Sequence, residues 1–505
     1  MSRSKALFFL LLLAAFSFSS CSGPLKKIVC TVNCGSGNLS FTMVADHLPA
    51  HPSILSFTVT VLGVVVTSST STMTLSPPNT RIDLMRLQSD SALLGTLNNV
   101  PGETISSLTV GLAAHQLTFL NDTGVALTSP SACAINAICT FDVSATVTSV
   151  LINNVNQAFS GNAGIGLDFN LANAISVTGT TLTVNFKNSG TTNVLTSFLL
   201  PRTGSNLASG QLDLIEDFTG VVSLNSQKAT ITSLTHGTLA ATATSSTNFD
   251  TDPSGTLCPT STKQTLSTCV SNNQVASMDA VLNSDGTLSI QEIEPLLATQ
   301  QDIVEGVVTA IATANQTQFT ILTTDKLETA TGTLIGPLNV GDFLTVTLVN
   351  PKNFLIDAKG LTLTVCCSGN LGNFTNTNNT TALHPGQTVT VHVTGGFTAA
   401  NGSTPAMANS DTVTLRWTRF TATVSTAATP AFTINSFPSF FSAPVSAQVQ
   451  FFGTTQGTDG TTNLDGISST ANLVVSNPVA MRALYIENPG LTLAPAFYAA
   501  KVRQH

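Results

Sequence analysis

Residues 55–67, LSFTVTVLGVVVT, alternate apolar and polar side chains and are rich in Val and Thr. A period of two is typical of a β-strand with one buried face, and it places Phe57, Val59 and Val61 on that face. Similar runs, separated by turns such as SPPN at 76–79, recur along residues 38–186. The pattern predicts an antiparallel β-sandwich for this segment, with a further strand over 81–87.

The composition agrees with an all-β chain. Of the 505 residues, 42% are hydrophobic and only 9% are charged, against about 25% charged in ordinary globular proteins. The formal net charge is −8 with only 18 Lys and Arg, so the basic patch that nucleic acid requires is missing. We therefore expect no nucleic-acid partner.

Internal echoes begin after about residue 217. FTGVVS at 218–223 resembles VEGVVT at 304–309, and LNVGDFLTV at 338–346 resembles LHPGQTVTV at 383–391. Each unit reads as a Gly-Val-Val strand, a Thr-rich turn, and a Gly turn that leads into an apolar strand. Units of this kind predict small β-barrels or half-sandwiches, two or three in number.

These patterns divide the chain into six parts joined by two polar linkers, at 187–209 and 369–381. The parts are a signal peptide at 1–20, a lipidated tether at 21–37, the sandwich at 38–186, and repeats at 210–300, 301–368 and 382–490.

The first twenty residues have the layout of a signal peptide. Arg3 and Lys5 precede an apolar run at 6–16, which is shorter than the ~20 residues that span a bilayer. The small residues Ser19 and Ser20 directly before Cys21 resemble the lipobox of bacterial lipoproteins. The resemblance implies cleavage before Cys21, a diacylglyceryl group on its thiol, and acylation of the new amino terminus.

Lipidation of Cys21 would anchor the chain to membrane lipid. Ser22 follows the cysteine, and its resemblance to the sorting rule of diderm bacteria implies the outer membrane. The alternative is ordinary secretion, in which Cys21 is one more disulfide cysteine.

The other cysteines are even in number, as expected for an exported chain in an oxidising compartment. The nine cysteines leave eight once Cys21 is set aside. Proximity in sequence suggests Cys133–Cys139 and Cys258–Cys269 as disulfides. The adjacent Cys366 and Cys367 pair either with each other or with Cys30 and Cys34. Zinc is not expected, because no His accompanies Cys30 and Cys34.

Two resemblances extend these expectations. The PGET turn at 101–104 and the LDFNL segment at 167–171 resemble a β-sandwich domain of unknown function that is common in bacterial lipoproteins. The repeats resemble a second family of unknown function, whose small β-barrels occur in tandem in exported bacterial proteins. Neither resemblance implies an activity.

Few residues are candidates for chemistry. His47 and His51 lie four apart beside Asp46, but Pro49 favours a loop over a metal-binding helix. VLNSDGTLSIQE at 281–292 imitates the end of a calcium loop, but its Asp-Gly pair favours a hairpin. Glu292 and Glu294 alternate on one strand face, which predicts a solvated edge. We expect no metal, cofactor or catalytic residue.

The sequence thus predicts a lipid-anchored envelope protein with a non-enzymatic structural, adhesive or ligand-binding role, whose ligand is an envelope polymer or a protein. Two alternatives stay open. A carbohydrate-binding module needs aromatic side chains beside a groove, and a hydrolase needs clustered carboxylates or a His–Asp pair.

Overall fold

A computed structural model describes residues 35–504 except 78–80, 144–146, 160, 191, 206, 234–235, 256, 259–263, 297–301, 313, 315, 328–333, 360, 362, 364–373, 376, 402–403, 429–430, 442–446, 453–460 and 487–494. Within these residues the chain is all-β, as predicted. The strands are β1 Ser36–His47, β2 Ser53–Ser68, β3 Thr72–Leu75, β4 Ile82–Asp83, β5 Ala92–Pro101, β6 Thr104–Leu120, β7 Ile138–Asp142, β8 Val147–Ala158, β9 Ala163–Asn170, β10 Ile175–Thr178, β11 Thr181–Val184, β12 Leu195–Leu200, β13 Gln211–Asn225, β14 Lys228–Ser233, β15 Gly237–Phe249, β16 Val275–Asn283, β17 Leu288–Pro295, β18 Ile303–Ile311, β19 Gln318–Leu327, β20 Phe343–Ile356, β21 Thr388–Thr398, β22 Ala406–Arg416, β23 Thr418–Thr426, β24 Ala431–Asn435, β25 Ala447–Gln450, β26 Asn463–Asp465, β27 Pro478–Tyr485 and β28 Pro495–Gln504.

Among the residues described above, the helical elements with defined bounds are all short. The α-helices are α1 Leu171–Ala174 and α2 Leu266–Cys269, and the 3₁₀ turns are Leu84–Gln88, Thr380–Ala382 and Thr470–Asn472. In the part of the chain described above, no helix has the length and apolar character needed to cross a bilayer.

The first domain is a sandwich of two sheets around one core. One sheet has the order β12-β9-β1-β5, and the other has the order β3-β2-β6-β7 with β4 on β2 and β8 on β6. The long strand β2 pairs antiparallel with β6, and its predicted face is buried, with Phe57, Val59 and Val61 at most 1% exposed. Side chains of both sheets meet there, because alternate residues of each strand point inward.

Two details of the sandwich differ from the prediction. The sheets are not wholly antiparallel, because β9 returns from the opposite sheet and pairs parallel to β1. The predicted strand over 81–87 is only β4, since the Asp83 carboxylate accepts the Met85 N–H and starts the 3₁₀ turn Leu84–Gln88.

Three barrels with one connectivity follow the sandwich. The first closes in the order β13-β14-β15-β17-β16 and the second in the order β18-β19-β20-β22-β21. In the third, pairing of β25 with β28 joins the ends of the run β25-β24-β23-β27-β28, and β26 adds to β28. The third and fifth strands of each barrel are parallel. This is a Greek-key arrangement of the kind found in five-stranded OB-fold barrels.

Close packing of neighbouring strands explains why glycine begins the repeated Gly-Val-Val motif. A Cβ at Gly220 would lie 2.4 Å from the Thr232 carbonyl oxygen, and one at Gly306 would lie 2.6 Å from that of Leu322. The first strand of each of these barrels therefore needs glycine where the second strand crosses it closely. A short helical turn also precedes the fourth strand of every barrel, at α2 and at the 3₁₀ turns beginning at Thr380 and Thr470.

The second echo does not mark a new repeat. Gly341 and Gly386 both lie in turns with positive φ, of 92° and 91°, but these turns precede β20 and β21 of the same barrel. The boundary between the second and third barrels therefore lies at Trp417, between β22 and β23, and not near 369–381. Similarly, the sandwich extends past residue 186, because β12 pairs with β9.

Disulfides join Cys133 to Cys139 and Cys258 to Cys269, the two pairs suggested by proximity. The remaining cysteines, namely Cys21, Cys30, Cys34, Cys366 and Cys367, lie outside the described residues.

Candidate functional site

The candidate site is a cluster of buried charged side chains centred on a β-bulge in β13, the first strand of the first barrel. Ile215 pairs with Ala280 and Phe218 with Met278, so Glu216 and Asp217 together oppose the single residue Asp279. A bulge of this kind re-aims side chains, and Asp217 adopts a positive φ of 56° that Asp tolerates better than most residues. Both carboxylates are consequently buried, with Glu216 5% and Asp217 1% exposed.

Asp217 is the point where all four domains meet. Its carboxylate contacts Lys359 at 3.3 Å and Arg416 at 2.8 Å, both from the second barrel, and also Arg419 from the third. From the sandwich, Arg86 donates to the Asp217 carbonyl oxygen at 3.3 Å. The sandwich, the second barrel and the third barrel thus each place at least one basic side chain against Asp217, which belongs to the first barrel.

The sandwich reaches this point through its 3₁₀ turn Leu84–Gln88. Arg86 on that turn also contacts Glu305 of the second barrel at 2.6 Å, and Gln88 donates to the Arg419 carbonyl oxygen of the third at 3.2 Å. The buried Asp83 carboxylate fixes the turn by accepting the N–H groups of Phe57 and Met85. The sandwich is thereby in contact with each barrel through one short segment.

The charges at this centre are complementary between barrels. The first barrel supplies the carboxylates Glu216, Asp217 and Asp279, and the third supplies bases, with Arg482 at 3.0 Å from Glu216 and Lys501 also bonded to it. We call the following set the charge junction: Arg86, Asp90, Glu216, Asp217, Asp279, Glu305, Asp325, Asp357, Lys359, Arg416, Arg419, Arg482 and Lys501.

The charge junction contains a third of the Lys and Arg residues of a chain that has few charges. Its six basic residues, Arg86, Lys359, Arg416, Arg419, Arg482 and Lys501, come from only 18 Lys and Arg in the sequence. Buried charges are costly unless they are paired and hydrogen-bonded. Such pairing across domains therefore favours one relative placement of the four domains.

The buried charges of the junction shift the pKa values of the carboxyl groups among them. Burial alone would raise the pKa of Asp217, but Lys359, Arg416 and Arg419 hold it well below its usual range. Glu294, 1% exposed, behaves oppositely, because burial and then the Asp357 carboxylate raise its pKa well above the ordinary value. The predicted solvated edge at Glu292 and Glu294 is therefore wrong, since this strand face is turned toward the junction.

A cavity of about 280 Å³ opens beside the charge junction. It lies between the first barrel, the third barrel and the segment that joins the sandwich to the first barrel. We call it the junction cavity, and its polar lining residues are Arg202, Ser205, Gln211, Asp213, Thr244, Ser246, Ser289, Gln291, Asn463, Asp465 and Lys501.

Asp46, His47 and Asp168 form the one group among the described residues whose atoms are spaced to hold a metal ion. His47 Nδ1 lies 2.8 Å from Asp46 and 3.5 Å from Asp168. Arg202 and Arg503, each 3.7 Å from Asp46, already supply positive charge there. This favours an imidazolium between two carboxylates over a metal site, and Asp168 was not foreseen.

We expect the His47 ring to stay protonated at pH values well above the ordinary pKa of histidine. Hydrogen bonds that the ring donates to the carboxylates of Asp168 and then Asp46 raise the pKa of His47 to about 10. A raised folded-state pKa means that the stabilisation is complete below the unfolded value of ~6.5 and is lost as pH rises toward about 10. NMR titration of the His47 ring, assigned with His47→Gln, should show no transition between pH 6 and 8. A midpoint near ~6.5 would contradict the contacts.

The other predicted candidates are not brought together. His51 pairs with Asp122 at 3.1 Å and not with His47. The 281–292 segment is the hairpin between β16 and β17, where the Asp285 carboxylate accepts from the N–H and hydroxyl of Thr287.

Two histidines each have one of the two partners that a catalytic triad requires, and they lie at different sites. His392 Nδ1 lies 2.7 Å from Asp411, and among the described residues no hydroxyl or thiol bonds to its other nitrogen. His115 Nε2 lies 2.8 Å from the Thr60 hydroxyl, yet no described carboxylate bonds to that ring. A nucleophile, base and orienting acid are therefore not assembled at either histidine.

Sequence reasoning missed the charge junction, although a signal was present. Its members interrupt apolar strand patterns, as Glu216 and Asp217 do in LDLIEDFTGVV at 212–222 and Arg416 and Arg419 do in VTLRWTRFTATV at 413–424. In a chain with so few charges, a charge inside an otherwise buried strand indicates a buried pair.

No family model matches the chain, and no curated protein matches it either.

Proposed function

We propose that the chain is a lipid-anchored protein of the cell envelope, in the outer membrane, with a non-enzymatic structural or ligand-binding role. The signal-peptide layout and the Ser19-Ser20-Cys21 sequence support the anchor. The two disulfides support an oxidising compartment. We also propose that the sandwich and the tandem barrels are related to the two families of unknown function that they resemble in sequence pattern.

One observation carries the non-enzymatic role. The most unusual residues of the chain, its buried charges, are paired with one another across four domains. Such pairing positions domains, whereas a catalytic group needs access to a substrate. The charge junction is therefore best explained as the element that holds a rigid body above the membrane.

Carbohydrate or envelope-polymer binding is a second candidate role, which the polar junction cavity favours. The aromatic platform expected of such a module is missing from the described lining of that cavity. Binding there would depend on hydrogen bonds alone. The hydrolase alternative is supported only by His–Asp pairs that lie apart from one another, at His47, His51, His236 and His392.

The anchor is tested by mass spectrometry of the mature amino terminus. We expect the wild-type chain to begin at Cys21 with acyl chains on the thiol and the amino group, since several chains are needed for stable anchoring. Cys21→Ala should keep the unprocessed leader or be released in soluble form. An unmodified or disulfide-bonded Cys21 in the wild-type chain would overturn the proposal.

A further inference from the structure

We propose that the junction cavity binds a neutral, hydroxyl-rich ligand of about the size of one sugar unit. The cavity of about 280 Å³ is slightly smaller than the ~300–1,000 Å³ range of drug-sized small-molecule sites, which suits a single sugar unit. The inference rests on the ligand-binding part of the proposed function and is independent of the anchor.

The walls of the cavity are fixed in place. β17 of the first barrel supplies Ser289 and Gln291, and β26 of the third supplies Asn463. These strands belong to barrels that the Glu216 pairs with Arg482 and Lys501 hold together. Ligand groups would therefore meet side chains already in position, which lowers the entropic cost of binding.

Two amides provide the hydrogen-bonding capacity. Gln291 and Asn463 are half-buried, and neither side-chain amide bonds to another described residue. Each offers two donors and one acceptor oxygen, which matches hydroxyl groups that both donate and accept. The hydroxyls of Ser205, Thr244 and Ser246 add further groups of the same kind.

The charges of the wall argue against an ionic ligand. Lys501 is bonded to Glu216, and Asp465 accepts from Arg503 Nε at 2.6 Å. Arg202 lies 3.7 Å from Asp46 and stacks over the Phe198 ring at 4.0 Å. Asp213 accepts from the Ser91 hydroxyl at 3.3 Å. The lining has two cations, Arg202 and Lys501, and two anions, Asp213 and Asp465, so its formal net charge is zero, and the uncharged amides and hydroxyls are left for the ligand.

The test is an NMR titration of the full chain without its leader, in which Cys21 is replaced by Ser. N-acetylglucosamine and glucose serve as neutral probes, glucuronate as the anionic probe and glucosamine as the cationic one. We expect the neutral sugars to shift backbone resonances of β17 and β26 with a dissociation constant on the order of mM. Gln291→Ala and Asn463→Ala should each weaken binding about tenfold, since each removes hydrogen bonds.

Asn153→Ala is the matched control. Asn153 is exposed and lines a separate polar groove of about 600 Å³ between β8 and β12, so its change should leave the titration unaltered. The proposal fails if wild type shows no shifts at about 50 mM sugar, if only glucuronate or glucosamine binds, or if Asn153→Ala removes binding while the cavity variants keep it. Since the titration uses unlipidated protein, none of these results bears on the anchor.

Discussion

Asp217→Asn should lower the free energy of unfolding by about 3–5 kcal/mol, because it removes the one buried anion that three buried cations share and leaves an excess positive charge in the interior. The three contacting side chains, Lys359, Arg416 and Arg419, are each at most 5% exposed, and Asp217 is fully enclosed. The amide has the same shape as the carboxylate, so the loss reports charge and not packing. Denaturant unfolding at pH 7, followed by far-UV circular dichroism and Trp417 fluorescence, measures the difference.

The control for this variant is Asp142→Asn, the same chemical change on an exposed strand residue of the sandwich. A surface carboxylate contributes ~0–1 kcal/mol, so the control should unfold with nearly the wild-type midpoint. The pKa of Asp217 is lowered, so its contribution is present above the unfolded pKa of ~3.9 and is lost as pH falls below it. Equal stability of both variants at pH 7 would show that the junction contributes nothing.

Removal of the third barrel should have the largest effect. A chain that ends at residue 416 lacks Arg419, Arg482 and Lys501, which leaves the acids of the first barrel buried without these partners. It also exposes core, because Leu484 and Tyr498 of the third barrel pack in one cluster with the second. We expect the truncated chain to lose cooperative unfolding and to expose the backbone of β13 and β18 to hydrogen exchange.

Hydrogen–deuterium exchange mass spectrometry of the full and truncated chains makes the comparison. In the full chain β13 and β18 should exchange slowly, as paired strands in a stable core do. If both strands remained equally protected in the truncated chain, the barrels would be independent units and the charge junction would be incidental.

The fold was largely predictable because it depends on local periodicity. The alternation at 55–67 and the Gly-Val-Val echoes report which side of a strand is buried, and both recur in the structure as β2, β13 and β18. The proximity of Cys133 to Cys139 and of Cys258 to Cys269 was enough to suggest their pairing. Strand order within the barrels, and the parallel β1–β9 pair, depend on distant residues and were not predicted.

The charge junction could not be assembled from the sequence, because its contacts join distant positions. Arg419 is separated from Asp217 by 202 residues and from Asp90 by 329. The bulge that turns both Glu216 and Asp217 inward has no sequence signature beyond the two adjacent acids. Without the partner, an acid on a strand is most simply interpreted as solvated, which is why Glu292 and Glu294 were misjudged.

The central claim is that four β-domains form one body around Asp217. Small-angle X-ray scattering of the unlipidated chain from residue 22 onward tests this most directly. We predict a radius of gyration close to ~23 Å, the value that size scaling gives for a compact chain of about 480 residues. A markedly larger radius, with the scattering profile of separately moving domains, would contradict the claim.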